Sequence, residues 1–136
     1  MRDLLLDTGF LVALLDRSDH RHSRCSSCFA EIEGRLLTTE PVLTEAVYLL
    51  GPSVKPQRAC IEFFLAGGAI LVPQSSKSLR RAGVLMEKYH DVPMDLADAT
   101  LVVLAEETNI REVLTLDRRG FDVYRINGRT PFTVFP

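Results

Sequence analysis

Two apolar segments of this chain, far apart in the sequence, each end in an aspartate. Residues 4–6 (Leu-Leu-Leu) run into Asp7, and residues 113–116 (Val-Leu-Thr-Leu) run into Asp117. Short apolar runs of this kind are typical of strands buried on both faces of a parallel sheet. Side chains at the carboxyl ends of neighbouring parallel strands converge on one crevice. The two aspartates therefore predict an anionic pocket at one edge of a sheet, which is a setting suited to a divalent metal ion.

Strand-like and helix-like segments alternate along the whole chain, without repeats or low-complexity linkers. The predicted strands are residues 4–6, 36–38, 69–72, 113–116 and 133–135. The predicted helices are residues 8–16, with Thr8 as the cap, and 18–32, 40–50, 55–65, 75–89 and 94–107. Strands separated by helices predict an α/β domain with three layers, α/β/α, around a mostly parallel central sheet.

Length and composition set limits on the class of protein. A chain of 136 residues with 46% apolar residues suits a single domain over residues 1–136 with one substantial core. The net charge of -2 predicts neither strong nucleic-acid affinity nor membrane adhesion from bulk electrostatics. No run approaches the roughly 20 apolar residues of a membrane span, and three cysteines favour reduced thiols. We therefore expect a cytoplasmic protein.

Further acids lie in helical segments that otherwise look buried. Asp95 and Asp98 are three residues apart in the helix predicted at 94–107, which is apolar nearly all round, and Glu45 lies among apolar residues at 40–50. Burying an unpaired carboxylate is costly, so several together require cationic partners or a metal. Each acid also has a structural interpretation. Asp7 and Asp117 could cap helices, Asp95 could favour the helix dipole, and Glu45 could face solvent.

Four segments carry a resemblance to a known family and together cover essentially the whole chain. They are residues 4–16 (LLLDTGFLVALLD), 44–50 (TEAVYLL), 94–99 (MDLADA) and 114–117 (LTLD). In order, spacing and total length the chain resembles the PIN-domain ribonucleases, in particular the VapC-type toxins of bacterial and archaeal toxin–antitoxin pairs. The resemblance implies an endoribonuclease that hydrolyses RNA phosphodiester bonds, a homodimer, and a small antitoxin protein that covers the acidic groove.

The resemblance also implies the site residues. The acidic quartet of the family carries over onto Asp7, Glu45, Asp98 and Asp117, and Asp95 is an accessory carboxylate one helical turn from Asp98. Two hydroxyl positions that accompany these acids carry over onto Thr8 and Thr115.

Oxygen ligands of this kind select Mg²⁺ or Mn²⁺ over zinc. We expect Asp7 and Asp98 to bind such an ion directly, and Glu45 and Asp117 to orient its water or to complete a second site. Hydrolysis would then leave a 5′-phosphate and a 3′-hydroxyl. Arg118 and Arg119 follow Asp117 directly and are predicted to hold the RNA backbone.

Several alternatives remain open at this level. His20, His22, Cys25 and Cys28 form a compact cluster that could bind zinc or act as a redox pair. A phosphoaspartate enzyme would also place an aspartate after a strand, but the second acid that a phosphatase of that type requires is replaced here by Gly9. A binding module with an inert acidic pocket, and a stand-alone RNA-processing nuclease, would both show the same acids.

Overall fold

Five parallel strands form the central sheet of the computed structural model, which describes residues 2–136. The strands of the chain are β1 (Arg2–Leu6), β2 (Gly34–Thr39), β3 (Ile70–Val72), β4 (Glu112–Leu114), β5 (Arg125–Ile126), β6 (Thr130–Pro131) and β7 (Thr133–Phe135). The order across the sheet is β3-β2-β1-β4-β7, while β5 and β6 form a separate antiparallel pair. The predicted parallel sheet is confirmed.

Helices cover both faces of this sheet, so the predicted three-layer arrangement is also confirmed. They are α1 (Thr8–Leu15), α2 (His22–Ala30), α3 (Glu40–Leu50), α4 (Val54–Leu65), α5 (Ser76–Lys88), α6 (Leu96–Thr108) and α7 (Arg118–Phe121). Within residues 2–136 the longest helices have 13 residues, and none is long and apolar enough to cross a bilayer.

The central strand β1 shows why the sheet needs both helical layers. Leu5 belongs to a core formed largely with α5 and α6, whereas Leu4 and Leu6 belong to a second core formed largely with α1, α2, α3 and α4. Successive side chains of a strand point to opposite faces, so a run of three leucines contributes to both cores. All three side chains are fully buried. This burial from both sides fixes the strand and the position of the residue that follows it.

Several predicted boundaries of helices and strands were wrong, and some of them lie beside the predicted site residues. Asp7, and not Thr8, caps α1, while the helix predicted at 18–32 begins only at His22 after a turn. The strand predicted at 113–116 ends at Leu114. Helix α7 and the β5–β6 pair were missed because elements of four and two residues are too short to show periodicity.

Candidate active site

Strands β1 and β4 are neighbours in the sheet and bring Asp7 and Asp117 to the same edge. The register pairs Leu6 with Leu114, and the backbone N–H of Asp7 donates to the carbonyl oxygen of Leu114 at 3.0 Å. Because both strands run in the same direction, the residues that follow them emerge side by side. The convergence predicted from the sequence is therefore present in the structure.

Thr115 connects the two aspartates. Its buried hydroxyl donates to Asp7 Oδ2 at 2.6 Å and accepts from the backbone N–H of Asp117 at 2.9 Å. The other oxygen of Asp7, Oδ1, accepts from the backbone N–H of Thr8 at 2.8 Å. Both oxygens of Asp7 are thus fixed by hydrogen bonds, which hold the carboxylate in one orientation.

Asp95 and Asp98 form a capping box at the start of α6. Asp95 Oδ1 accepts from the backbone N–H of Asp98 at 2.8 Å, and Asp98 Oδ2 accepts from the backbone N–H of Asp95 at 3.4 Å. The hydroxyl of Tyr124 also donates to Asp98 Oδ2, at 3.1 Å. Tyr124 is almost fully buried against Tyr89 and Phe121. A rigid aromatic cluster therefore orients the Asp98 carboxylate.

Helices α3 and α1 supply the last two predicted site residues, Glu45 and Thr8. The Glu45 carboxylate is half-buried, on the side of α3 that faces the other acids. The buried Thr8 hydroxyl faces Glu45 and helps to hold down the pKa of its carboxyl, but no polar atom of the described residues lies within full hydrogen-bond distance of it. A buried polar atom without a partner is uncommon in proteins. This hydroxyl is thus available to a ligand or to an ordered water.

Side chains from these segments line one polar cavity of about 420 Å³. All five predicted carboxylates contribute to its wall, together with Thr8 and one arginine. The residues of the wall are Asp7, Thr8, Gly9, Arg21, Glu45, Pro93, Asp95, Asp98, Leu116 and Asp117. The structure therefore gathers acids from four separate segments of the chain at the carboxyl edge of the sheet.

Burial and mutual repulsion raise the pKa of the carboxyls in this cavity. Burial raises the pKa of Asp7 to about 6, with repulsion from Asp117 and Asp95 adding to the rise and hydrogen bonds from Thr115 and Thr8 opposing it. The pKa of Asp98 is raised further, by burial first and then by the charges of Asp7 and Asp95. Burial likewise raises the pKa of Glu45. Without a cation, the cavity destabilises its own charged state.

The donor chemistry of the cavity fits a hard divalent cation. Its walls offer carboxylate and hydroxyl oxygens and contain neither histidine nor cysteine. In residues 2–136, no three His, Cys, Asp or Glu side chains are already clustered closely enough to enclose an ion. Mg²⁺ usually binds to one or two carboxylates and keeps several waters, so it does not need such a cluster. The raised pKa values and the unpartnered Thr8 hydroxyl both favour the arrival of a cation.

The predicted RNA-binding arginines lie outside the cavity. Arg118 and Arg119 are exposed, and Arg118 Nη2 donates to the carbonyl oxygen of Pro136 at 2.7 Å. The cation in the cavity wall is Arg21, which the sequence analysis missed together with Tyr124. Arg21 and Tyr124 reach the site through contacts between distant parts of the chain, so no local sequence motif identifies them. Arg21 does lie in the segment that contains the His-Cys cluster.

Three of the site carboxylates also cap helices. Asp7 caps α1, Asp95 caps α6, and Asp117 caps α7, where its Oδ1 accepts from the backbone N–H of Gly120 at 3.0 Å. The structural interpretation and the interpretation as a site were treated as alternatives for these acids. In the structure each of these acids caps a helix and also borders the cavity, because one carboxylate oxygen is enough for the cap.

In residues 2–136 the side chains of His20, His22, Cys25 and Cys28 are not gathered around a common point. His22 Nδ1 lies 2.8 Å from the carbonyl oxygen of Ala13, and Nε2 lies 3.2 Å from the hydroxyl of Ser26. Cys25 is buried, and burial raises the pKa of both thiols. His22 and the thiols therefore pack helix α2 against α1, while His20 faces solvent.

Comparison with known proteins places this geometry in a family. The sequence matches the PIN domain family over residues 4–127. It is 31% identical to the ribonuclease VapC26 of Mycobacterium tuberculosis over 135 residues, which are 98% of this chain and the whole of that protein. The range matched by the PIN family, residues 4–127, spans all positions that line the acidic cavity.

Solved structures share the fold at lower identity. VapC20 of Mycobacterium tuberculosis, a toxin that cleaves the sarcin-ricin loop, superimposes with a TM-score of 0.74 at 20% identity, covering 81% of this chain and 86% of that one. The DNA-bound VapBC of Salmonella typhimurium gives a TM-score of 0.65 at 19% identity, with 98% of both chains covered. From the sequence match and the shared fold together, this chain belongs to the PIN-domain family and is a homologue of the VapC ribonucleases.

Proposed function

We propose that this protein is a divalent-metal-dependent endoribonuclease and the toxin of a toxin–antitoxin pair. The observation that carries the proposal is the convergence of Asp7, Glu45, Asp98 and Asp117 on one polar cavity at the carboxyl edge of the sheet. The homology to VapC ribonucleases supports RNA as the substrate. We assign one PIN domain to residues 1–136, since both cores are continuous along the sheet. A cytoplasmic location, where RNA is found, is part of this proposal.

We assign Asp7 and Asp98 as direct ligands of Mg²⁺ or Mn²⁺, with Glu45 and Asp117 completing the site and Asp95 as an accessory carboxylate. When bound, the ion supplies Lewis-acid stabilisation of the scissile phosphate and a water activated for attack. The protein supplies orientation. The Thr115 hydroxyl holds Asp7, the Tyr124 hydroxyl holds Asp98, and both carboxylates are thus positioned before substrate enters.

The surface beside the cavity supports the assignment of protein partners. An apolar groove of about 650 Å³, whose walls include Pro41, Tyr48 and Leu96, shares Glu45 and Asp95 with the acidic cavity. An antitoxin segment seated in this groove would reach the carboxylates. Helices α3 and α4 also expose large apolar side chains that suit pairing of two copies, namely Tyr48, Leu49, Val54, Ile61 and Leu65.

Cleavage of a mixed RNA pool tests the proposal. Purified protein is incubated with EDTA, Mg²⁺ or Mn²⁺, alongside the variants Asp7→Asn and Asp98→Asn. Asp122→Asn is the matched control, because this carboxylate is exposed and lies outside the cavity. We expect cleavage with metal by the wild-type and control proteins and a loss of at least about 100-fold in both site variants.

Two other results would redirect the assignment. If folded, antitoxin-free protein cleaves no RNA with any metal, the acidic pocket is inert and the protein is a binding module. If it cleaves RNA but has no antitoxin encoded beside it and does not arrest growth when expressed, it is a stand-alone RNA-processing nuclease.

A further inference from the structure

The acidic cavity poses an electrostatic problem for the proposed substrate. Five carboxylates line it, and an RNA strand brings a further negative charge at every phosphate. One divalent ion offsets only part of this repulsion. A phosphate placed near these acids needs a cationic side chain that faces the same space.

Arg21 is the cationic residue of the cavity wall. Its side chain is partly exposed, at 40%, so a ligand can reach it. In the described residues its ion-pair partner is Asp19, and it forms no salt bridge with any carboxylate of the cavity. Arg21 therefore borders the cavity, while its guanidinium is paired with Asp19 and with none of the cavity acids.

Asp19 holds this guanidinium in a fixed orientation. Arg21 Nε donates to Asp19 Oδ1 and Arg21 Nη2 donates to Oδ2, both at 3.1 Å, and the backbone N–H of Arg21 donates to Oδ1 at 2.8 Å. The Asp19 side chain is only 12% exposed. The ion pair is bidentate and local to one turn, so its geometry is set before any substrate arrives.

The hydrogen-bond inventory of Arg21 leaves room for a phosphate. A guanidinium has five N–H donors, and Asp19 engages one on Nε and one on Nη2. The edge formed by Nη1 and Nη2 has no other partner in residues 2–136. Such an edge matches two phosphate oxygens, which a lysine ammonium cannot do in the same way.

We propose that Arg21, oriented by Asp19, binds a backbone phosphate of the RNA next to the scissile bond. The inference rests on the proposed ribonuclease function and moves the phosphate contact from Arg118 and Arg119, which were predicted from the sequence, to the turn between α1 and α2. Arg21 is a substrate-binding residue in this assignment, and Asp19 is a positioning residue.

Binding of a labelled single-stranded RNA tests the role of Arg21. The RNA is one that the wild-type protein cleaves, and binding is measured in the Asp98→Asn background over a range of salt concentrations. Arg21→Ala should weaken binding about 10- to 100-fold, as expected for loss of charge-assisted hydrogen bonds. It should also reduce the slope of log K against log salt by about 0.7, the value of one phosphate contact on a single strand.

Matched variants distinguish a specific phosphate contact of Arg21 from a general effect of positive charge on RNA binding. Arg24→Ala removes the same charge three residues away, on an exposed position outside the cavity, and should change affinity by less than about 3-fold. Arg21→Lys keeps the charge and should restore the salt slope but only part of the affinity. In the cleavage-competent protein, Arg21→Ala should raise KM more than it lowers kcat.

Asp19→Asn distinguishes a positioning role of Asp19 from a purely electrostatic one, because the two roles predict opposite changes in RNA affinity. If Asp19 only contributed negative charge, its neutralisation would strengthen RNA binding. If Asp19 orients Arg21, the substitution should weaken binding several-fold, while an asparagine still accepts the backbone N–H of Arg21. Strengthened binding would overturn the positioning role of Asp19.

Equal losses in Arg21→Ala and Arg24→Ala would overturn the assignment of Arg21 while leaving the ribonuclease function intact. If the wild-type protein neither binds nor cleaves RNA with any metal, the proposed function fails and this inference fails with it. Circular dichroism melts of each variant show whether the fold is preserved, and Arg21→Lys provides the comparison if Arg21→Ala is unstable.

Discussion

Asp7→Asn should stabilise the metal-free protein, although it removes a residue assigned to metal binding. Asp7 is 5% exposed, and its pKa is raised from 3.8 to about 6. Between these two values the folded state keeps a proton that the unfolded state has lost. The contribution of Asp7 to stability is therefore most favourable below pH 3.8 and falls as the pH rises from 3.8 through 6, because the folded protein must then bury a charge.

The magnitude follows from this pKa change. One pKa unit corresponds to about 1.4 kcal/mol, so the buried charge of Asp7 costs about 3 kcal/mol above pH 7. An asparagine has one acceptor oxygen where the carboxylate uses two, for Thr8 and Thr115, and this loss costs about 1 kcal/mol. The expected net gain is about 2 kcal/mol at pH 7.5. That gain corresponds to a rise in Tm of roughly 6 to 8 °C for a chain of this size.

The pH dependence of the gain is the informative quantity. At pH 4.5 the folded wild-type protein already holds its proton on Asp7, so the penalty is about 1 kcal/mol and the gain from asparagine disappears. Urea and thermal denaturation followed by circular dichroism, at pH 4.5, 6.0 and 7.5 in EDTA, measure this difference. Asp122→Asn, at an exposed carboxylate, is the control and should show no pH-dependent gain.

Addition of Mg²⁺ should reverse the order of stability at pH 7.5, because the ion binds the folded wild-type protein and not the variant. The reasoning is refuted if Asp7→Asn is equally destabilising at pH 4.5 and pH 7.5. That result would mean that the lost hydrogen bonds, and not the buried charge, dominate the energetics of Asp7.

Three further predictions concern the neighbours of Asp7. Tyr124→Phe removes the hydroxyl that donates to Asp98, so we expect the cleavage rate to fall about 10-fold. The free energy of unfolding, measured by urea denaturation, should fall by less than about 1.5 kcal/mol. Unchanged cleavage would show that Asp98 is oriented by its capping box alone. Gly120→Ala would place a Cβ 2.6 Å from Asp117 Oδ2 and 2.8 Å from the Tyr124 hydroxyl, so cleavage should fall more than about 10-fold and stability by about 1 to 3 kcal/mol. In cleavage assays at low Mg²⁺, activity should decline below about pH 8 as Asp98 takes up a proton, and further below about pH 6 as Asp7 does the same. Excess Mg²⁺ should shift this decline to lower pH.

The sequence was sufficient to predict the fold and the convergence of the carboxylates on one cavity, for a physical reason. Hydrophobic runs identify buried strands, and parallel strands bring their carboxyl ends together, so Asp7 and Asp117 could be placed at one edge without coordinates. Acids in apolar helices, such as Asp98, are unusual enough to be recognised as part of a site. These inferences depend on the periodicity of apolar residues and on the energetic cost of burying a carboxylate, and both can be judged from a short stretch of sequence.

The residues that orient or extend the site could not be predicted in this way. Tyr124 reaches Asp98 across 26 positions of the chain, and Arg21 borders the cavity from a turn that was predicted to be part of a helix. Such contacts depend on packing and on the path of a loop. Arg118 and Arg119 were chosen because they are adjacent to Asp117 in sequence. Both are exposed and outside the wall of the cavity, and Arg118 donates to Pro136, so a contact of these residues with RNA stays a prediction.

Three acids of the cavity also cap helices, and this affects which residues we expect at these positions in relatives that have lost their activity. Asp7, Asp95 and Asp117 stabilise helix ends whether or not the site is used, so an aspartate or asparagine would be favoured at these positions even in a protein that had lost its activity. Glu45 caps no helix and lies at a cost to stability within α3. Drift after loss of activity should therefore replace Glu45 first. A relative that keeps its glutamate at this position reports a working site more reliably than one that keeps its aspartates.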